Sequence, residues 1–96
     1  MDVIITIRAR GEITNAVAYR AERDVASARR LLDHFIRRFD ELGRFPLIGR
    51  SRSDLRAGLR TLLVENYIAF YVIEDERIAV LRVLDGRMDL EEKLRE

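Results

Sequence analysis

The chain has no cysteine, one histidine and one proline, and no apolar run long enough to span a bilayer. Without cysteine there is no disulfide and no thiolate metal site, which suits a reducing compartment. His34 is the only imidazole, so a histidine-based metal cluster is excluded, as is a serine activated by a nearby histidine. Glycine-rich phosphate loops and nucleotide-binding fingerprints are absent, and no cofactor is expected. The opening residues, MDVIITIRAR, are too short and too charged for a signal-peptide core or a membrane span, so a cytoplasmic protein is expected. A strong charge of one sign is also lacking: eighteen basic residues face seventeen acidic ones, for a net charge of +1. That balance argues against a dedicated, sequence-specific nucleic-acid binder and against a membrane-surface protein.

What is present is a heavily charged but amply apolar chain of 96 residues, 48 % hydrophobic and 36 % charged, expected to fold as a single domain over residues 1–96. A chain of this size buries roughly 60–70 % of its unfolded surface, enough for one core without staples. Residues 3–8 form a β-branched run and predict a first strand. From Ala9 to about Arg23, Ile13, Ala16, Val17 and Ala21 recur at helical spacing, with Gly11 and the lack of a strong N-cap weakening the signal. Arg20 falls within that stripe and is expected to snorkel at its edge, head in water. The next segment carries the strongest pattern. Asp24 is a candidate N-cap; Ala28, Leu31, Leu32, Phe35, Ile36, Phe39 and Leu42 follow at steps of three and four, predicting an amphipathic helix. Gly43 stands where a glycine cap belongs, and Pro46 prevents continuation. His34 lies off the apolar stripe and reads as a surface residue.

Residues 44–60, RFPLIGRSRSDLRAGLR, concentrate five arginines against one aspartate, an excess suited to an acidic partner or to phosphates, or simply to a solvated loop. Three strand-like runs follow, starting at Leu59, Tyr67 and Arg77, with links at Asn66 and Asp75-Glu76 short enough only for hairpins. In the last run Ile78, Val80, Arg82 and Leu84 alternate onto one face. Arg82 is the odd member and needs a partner, an exposed strand end or a function. Asp89 and Glu92 have capping-box spacing and predict a short C-terminal helix. The order strand, helix, helix, three strands, short helix implies an α+β fold, a helical hairpin packed on a mostly antiparallel sheet.

Arginine is the main functional chemistry on offer. Arg60, Arg82 and Arg87 could converge if their strands are neighbours, forming a cluster suited to phosphate or carboxylate. As an RNA-cleaving centre it would have only Asp85 as a proton acceptor and no tyrosine or histidine after Tyr71 as a donor.

Ala9…Glu12-Ile13…Ala16…Tyr19, the P-x-x-G-R of Pro46, Gly49 and Arg50, the G-x-R of Gly58 and Arg60, and RVLDGR at 82–87 together resemble the ParE/RelE superfamily of bacterial toxins, closer to ParE. The resemblance covers nearly the whole chain and implies the same β-α-α-β-β-β plan. It also implies a cognate, ParD-like or related antitoxin that neutralises the toxin in a hetero-oligomer, folding a flexible segment onto it. For a ParE-like member the implied target is DNA gyrase, with Arg60, Arg82 and Arg87 as target-binding residues. For a RelE-like member it is ribosome-bound mRNA, cut by Arg60, Arg82, Asp85 and Arg87 without a metal. Asp85 stands where many relatives have histidine, the terminal tyrosine or histidine of the nucleases is missing, and so is their strong basic charge. These departures favour the ParE-like branch. A third expectation keeps the fold as a stable antitoxin partner without toxicity.

Overall fold

The computed structural model describes residues 1–96. β1 (Asp2–Ile5) leads into α1 (Ile7–Ala21) and α2 (Val25–Arg44); β2 (Arg50–Ser51), β3 (Arg60–Val64), β4 (Tyr67–Glu74) and β5 (Arg77–Asp85) follow, and α3 (Leu90–Leu94) closes the chain. The sheet order is β1-β5-β4-β3-β2, with β1 parallel to β5 and every other pair antiparallel. This is the expected α+β plan with one extra two-residue edge strand, β2. No helix is long and apolar enough to cross a membrane.

The first strand is shorter than the β-branched run suggests. Thr6 ends it: its hydroxyl accepts from the Ala9 N–H and caps α1, supplying the N-cap not found in the segment from Ala9 onward. Asp24 caps α2 as expected, accepting from the Ser27 N–H. Gly43, by contrast, is no cap. α2 runs on to Arg44, and Gly43 lies where Met1 crosses it; a Cβ there would come within 3.0 Å of the Met1 carbonyl oxygen. The glycine is needed for close approach of the chain's start, whose ammonium donates to the Gly43 carbonyl.

The α1–α2 hairpin packs one face of the sheet, burying Ala9, Ala16, Leu31, Phe35, Phe39 and Leu42 against Leu62, Tyr71 and Val80. Leu32 and Ile36 do not join this core; they are exposed on the flank of α2, because the buried stripe is narrower than the apolar pattern. The other face is covered only at one end, where Leu55, Leu90 and Leu94 pack on Leu59, Phe70, Val72 and Leu84.

A bulge in β5 corrects the alternation read from the sequence. Tyr71 pairs with Val80 but Phe70 pairs with Arg82, so Leu81 is the extra residue. Beyond it the parity flips: Ile78 and Val80 face the helices, whereas Leu84 and Arg82 belong to the opposite face. Arg20 lies at the edge of the stripe, partly exposed, and its guanidinium also donates to Glu65 (2.5 Å) and Asn66 (2.9 Å) at the β3–β4 turn, beside the Tyr67 ring. His34 is a surface residue, its Nδ1 lying 3.3 Å from the same Glu65 carboxylate.

Candidate functional site

β1 stops pairing at Val80, where the Thr6 N–H donates to the Val80 carbonyl, so the following residues of β5 have an uncovered edge. Glu12, in the second turn of α1, closes it. Its carboxylate accepts from the Val83 N–H at 2.8 Å and from Arg82 Nε and Nη2 at 3.0 and 2.8 Å. Arg82 Nη1 donates in turn to the Lys93 carbonyl of α3 at 2.8 Å. Arg82 is only 8 % exposed, so its charge is paired and its donors are directed at α1 and α3. The unexplained charge of the last strand therefore joins three elements.

Three residues beyond Arg82, the strand ends in a second forked pair. Arg87 donates from Nε and Nη2 to Asp85 at 3.0 and 2.6 Å, and its backbone N–H donates to the same carboxylate. This pairing pulls the Asp85 carboxyl down to about 2, with the Arg87 side chain as the largest cause and its backbone N–H next. Unlike Arg82, Arg87 stands in solvent, its side chain 77 % exposed. Gly86 gives the turn its closeness: its N–H donates to the Asn66 carbonyl, and a Cβ would meet that oxygen at 3.2 Å.

A cleft of about 490 Å³ joins the two pairs, with Tyr19, Tyr67 and Met88 completing its walls. Glu12, Tyr19 and Tyr67 are not among the site residues that the sequence points to. The signal available was the seven-residue spacing of Glu12 and Tyr19, which places both on one side of α1. Chemically the cleft holds carboxylates locked to guanidinium groups. A carboxyl held near 2 has little affinity for the proton of a sugar hydroxyl, so Asp85 is a weak general base at neutral pH. Arg87 is the most exposed of the cleft's three cations, ahead of Lys93 and Arg82.

Arg60 is elsewhere, and the expected convergence of three arginines does not occur. β4 separates β3 from β5, and Arg60 lies opposite Tyr71, four residues along β4 from Tyr67, which faces Asp85. That offset is about 13 Å along the strand. Arg60 donates to the Gly49 carbonyl (2.7 Å) and the Leu47 carbonyl (3.2 Å), while the Tyr71 hydroxyl accepts from the Gly49 N–H (3.0 Å) and donates to the Pro46 carbonyl (2.8 Å). The two arginine-containing motifs between 46 and 60 thus form one device that fixes the loop before β2. Only glycine fits at its centre, because a Cβ on Gly49 would lie 2.5 Å from the Tyr71 hydroxyl oxygen and 2.6 Å from the Thr61 carbonyl.

Residues 3–90 match a family model described as the ParE toxin of the type II toxin–antitoxin system, parDE. Toxin ParE3 of Caulobacter vibrioides is 48 % identical over 56 residues, a stretch covering 58 % of this chain and 56 % of that protein, so the match spans just over half of the relative's length. A solved structure described as a chromosomal ParDE TA system from P. aeruginosa superimposes with a TM-score of 0.74 over 86 % of this chain and 92 % of that one. Its sequence identity is 19 %, and the likeness speaks for the fold.

Proposed function

Because the chain belongs to the ParE toxin family of type II toxin–antitoxin systems, we propose that it arrests growth by binding DNA gyrase, and that a cognate ParD-like antitoxin neutralises it in a hetero-oligomer. The observation that carries this reading is the cleft at the end of β5, on a chain matched to the family over residues 3–90. Its carboxylates are tied up by arginines, which suits gripping a protein better than shuttling protons. Arg87, exposed at the rim, is the residue that meets the target. Arg82 and Arg60, held in internal hydrogen bonds, are positioning residues for the surfaces around them. The protein acts in the cytoplasm, where gyrase resides. The description of the P. aeruginosa structure as a ParDE system supports an antitoxin partner.

One observation favours a nuclease as second reading: Tyr19 and Tyr67 line the same cleft and could donate a proton to a leaving oxygen. Two assays separate them. Purified protein is expected to inhibit gyrase supercoiling, with Arg87→Ala weaker than the native chain and Arg29→Ala on the outer face of α2 unchanged. Uninhibited gyrase together with codon-positioned cuts in primer extension would replace the first reading by the second.

A further inference from the structure

Far from the cleft, at the β2 edge of the sheet, lies a feature that the toxin site does not use. β2 covers only Arg60 and Thr61 of β3. Leu63, two residues on, is 64 % exposed on the face away from the helices. In the loop before β2, Phe45 and Ile48 are also exposed, and Leu47 is 68 % exposed. Ile48 and Leu63, with Leu62 and Ile68, line a groove of about 340 Å³ rimmed by Arg38, Arg50 and Arg52. No aspartate or glutamate lines it.

Large apolar side chains clustered in solvent mark a contact surface more often than chance exposure does. Here they sit on backbone that is already fixed. Tyr71 and Arg60 hold the Pro46, Leu47 and Gly49 backbone through five hydrogen bonds, so a partner ordering itself there would meet a preorganised surface. The rim is not charge-neutral toward a ligand. Arg38 is occupied by the Leu63 carbonyl and Glu41, and Arg52 by Asp54, but Arg50 has no acceptor for its guanidinium.

Resting on the antitoxin reading above, we propose that this groove seats an acidic, aliphatic-bearing segment of the antitoxin. Its leucine or isoleucine side chains pack on Ile48 and Leu63, and its carboxylates meet Arg50. Nucleic acid fits less well: no aromatic side chain lines the groove for base stacking, and one free guanidinium gives little purchase on a phosphate backbone.

The test is calorimetric titration of the native chain and of Ile48→Asp, Arg50→Glu and Arg29→Glu with the purified cognate antitoxin. The two groove variants are expected to lose tenfold or more in affinity, and Arg29→Glu less than twofold. Arg50→Glu touches no internal bond, so it decides the matter even where Ile48→Asp fails to fold. Groove variants that bind within twofold of the native chain would overturn the proposal. So would tight binding of a 20-nucleotide single-stranded RNA or duplex DNA that Arg50→Glu abolishes. A native chain that binds antitoxin through the groove yet leaves gyrase untouched would count against the gyrase reading alone.

Discussion

Removing the Glu12 carboxylate should do far more than delete one ion pair. Glu12 holds the open edge of β5 through Val83 and the charge of Arg82 at once, with a side chain only 20 % exposed. In Glu12→Ala the Val83 N–H loses its acceptor, which costs about 1–3 kcal/mol for a buried donor. Arg82 keeps only the Lys93 carbonyl; stranding a fully buried charge costs about 3–5 kcal/mol, and the partial exposure of this pair puts it near the lower end or just below. Together these give roughly 4 kcal/mol, close to half the total stability of an ordinary domain. With a urea slope of about 1.5 kcal/mol per molar, the unfolding midpoint falls by about 2.5 M. Glu12→Gln retains an oxygen for Val83 and should lose about half as much. The sharper check is Glu12→Leu combined with Arg82→Met, because replacing both partners by apolar groups spares the stranded charge. That double variant should be more stable than either single one. A Glu12→Ala cost below about 1 kcal/mol, or singles that simply add, would refute a coupled latch.

Asp85 should titrate about two units below an ordinary carboxyl in the native chain, and Arg87→Ala should bring it back toward that range, followed by the carboxyl carbon shift in NMR. Because the folded value is depressed, the contribution of Asp85 to stability is complete above the unfolded value near 4 and lost as pH falls toward about 2; in Arg87→Ala that contribution largely disappears. Gly49→Ala should destabilise by about 2–3 kcal/mol in thermal melts, since its Cβ strikes both the Tyr71 ring and the Thr61 carbonyl; a near-neutral result would show that the loop is not fixed as described. Asp75 and Glu76 both adopt left-handed backbone in the β4–β5 turn, so Glu76→Gly should stabilise by about 0.5 kcal/mol, read as a higher melting temperature.

Much of this architecture is legible from periodicity. α2 shows its capping aspartate and its buried stripe, and the hairpin strands show their short polar links, because local spacing governs both. The misreadings share a cause, which is contact with residues distant in sequence. Gly43 looks like a cap until Met1 is seen to cross it. Leu32 and Ile36 look buried because a helix pattern does not reveal how wide a face the sheet will cover. β2 has too few residues for a pattern and exists because Thr61 and Arg60 are there to pair with it. For the site, the RVLDGR stretch was visible as a charged strand end, but two facts were hidden. The bulge at Leu81 turns Arg82 to the other face, and the partner that neutralises it comes from α1, seventy residues earlier. Arg60 could not be separated from Arg82 without knowing that β4 intervenes.

The parallel pairing of β1 with β5 also sets a clock. Asp2 faces Arg77 and Ile5 faces Val80, so the first strand made is placed only against the last. At synthesis rates of about 5–20 residues per second, the start of the chain waits roughly 4–15 s for its partner to be made. Through that interval Glu12 has no Arg82, the end of β5 has no edge cover, and the cleft with its rim arginine does not exist. Intermediates on the ribosome are therefore incomplete as a binding surface. The surface at the end of β5 is completed only once the last strand has left the ribosome and closed on the first.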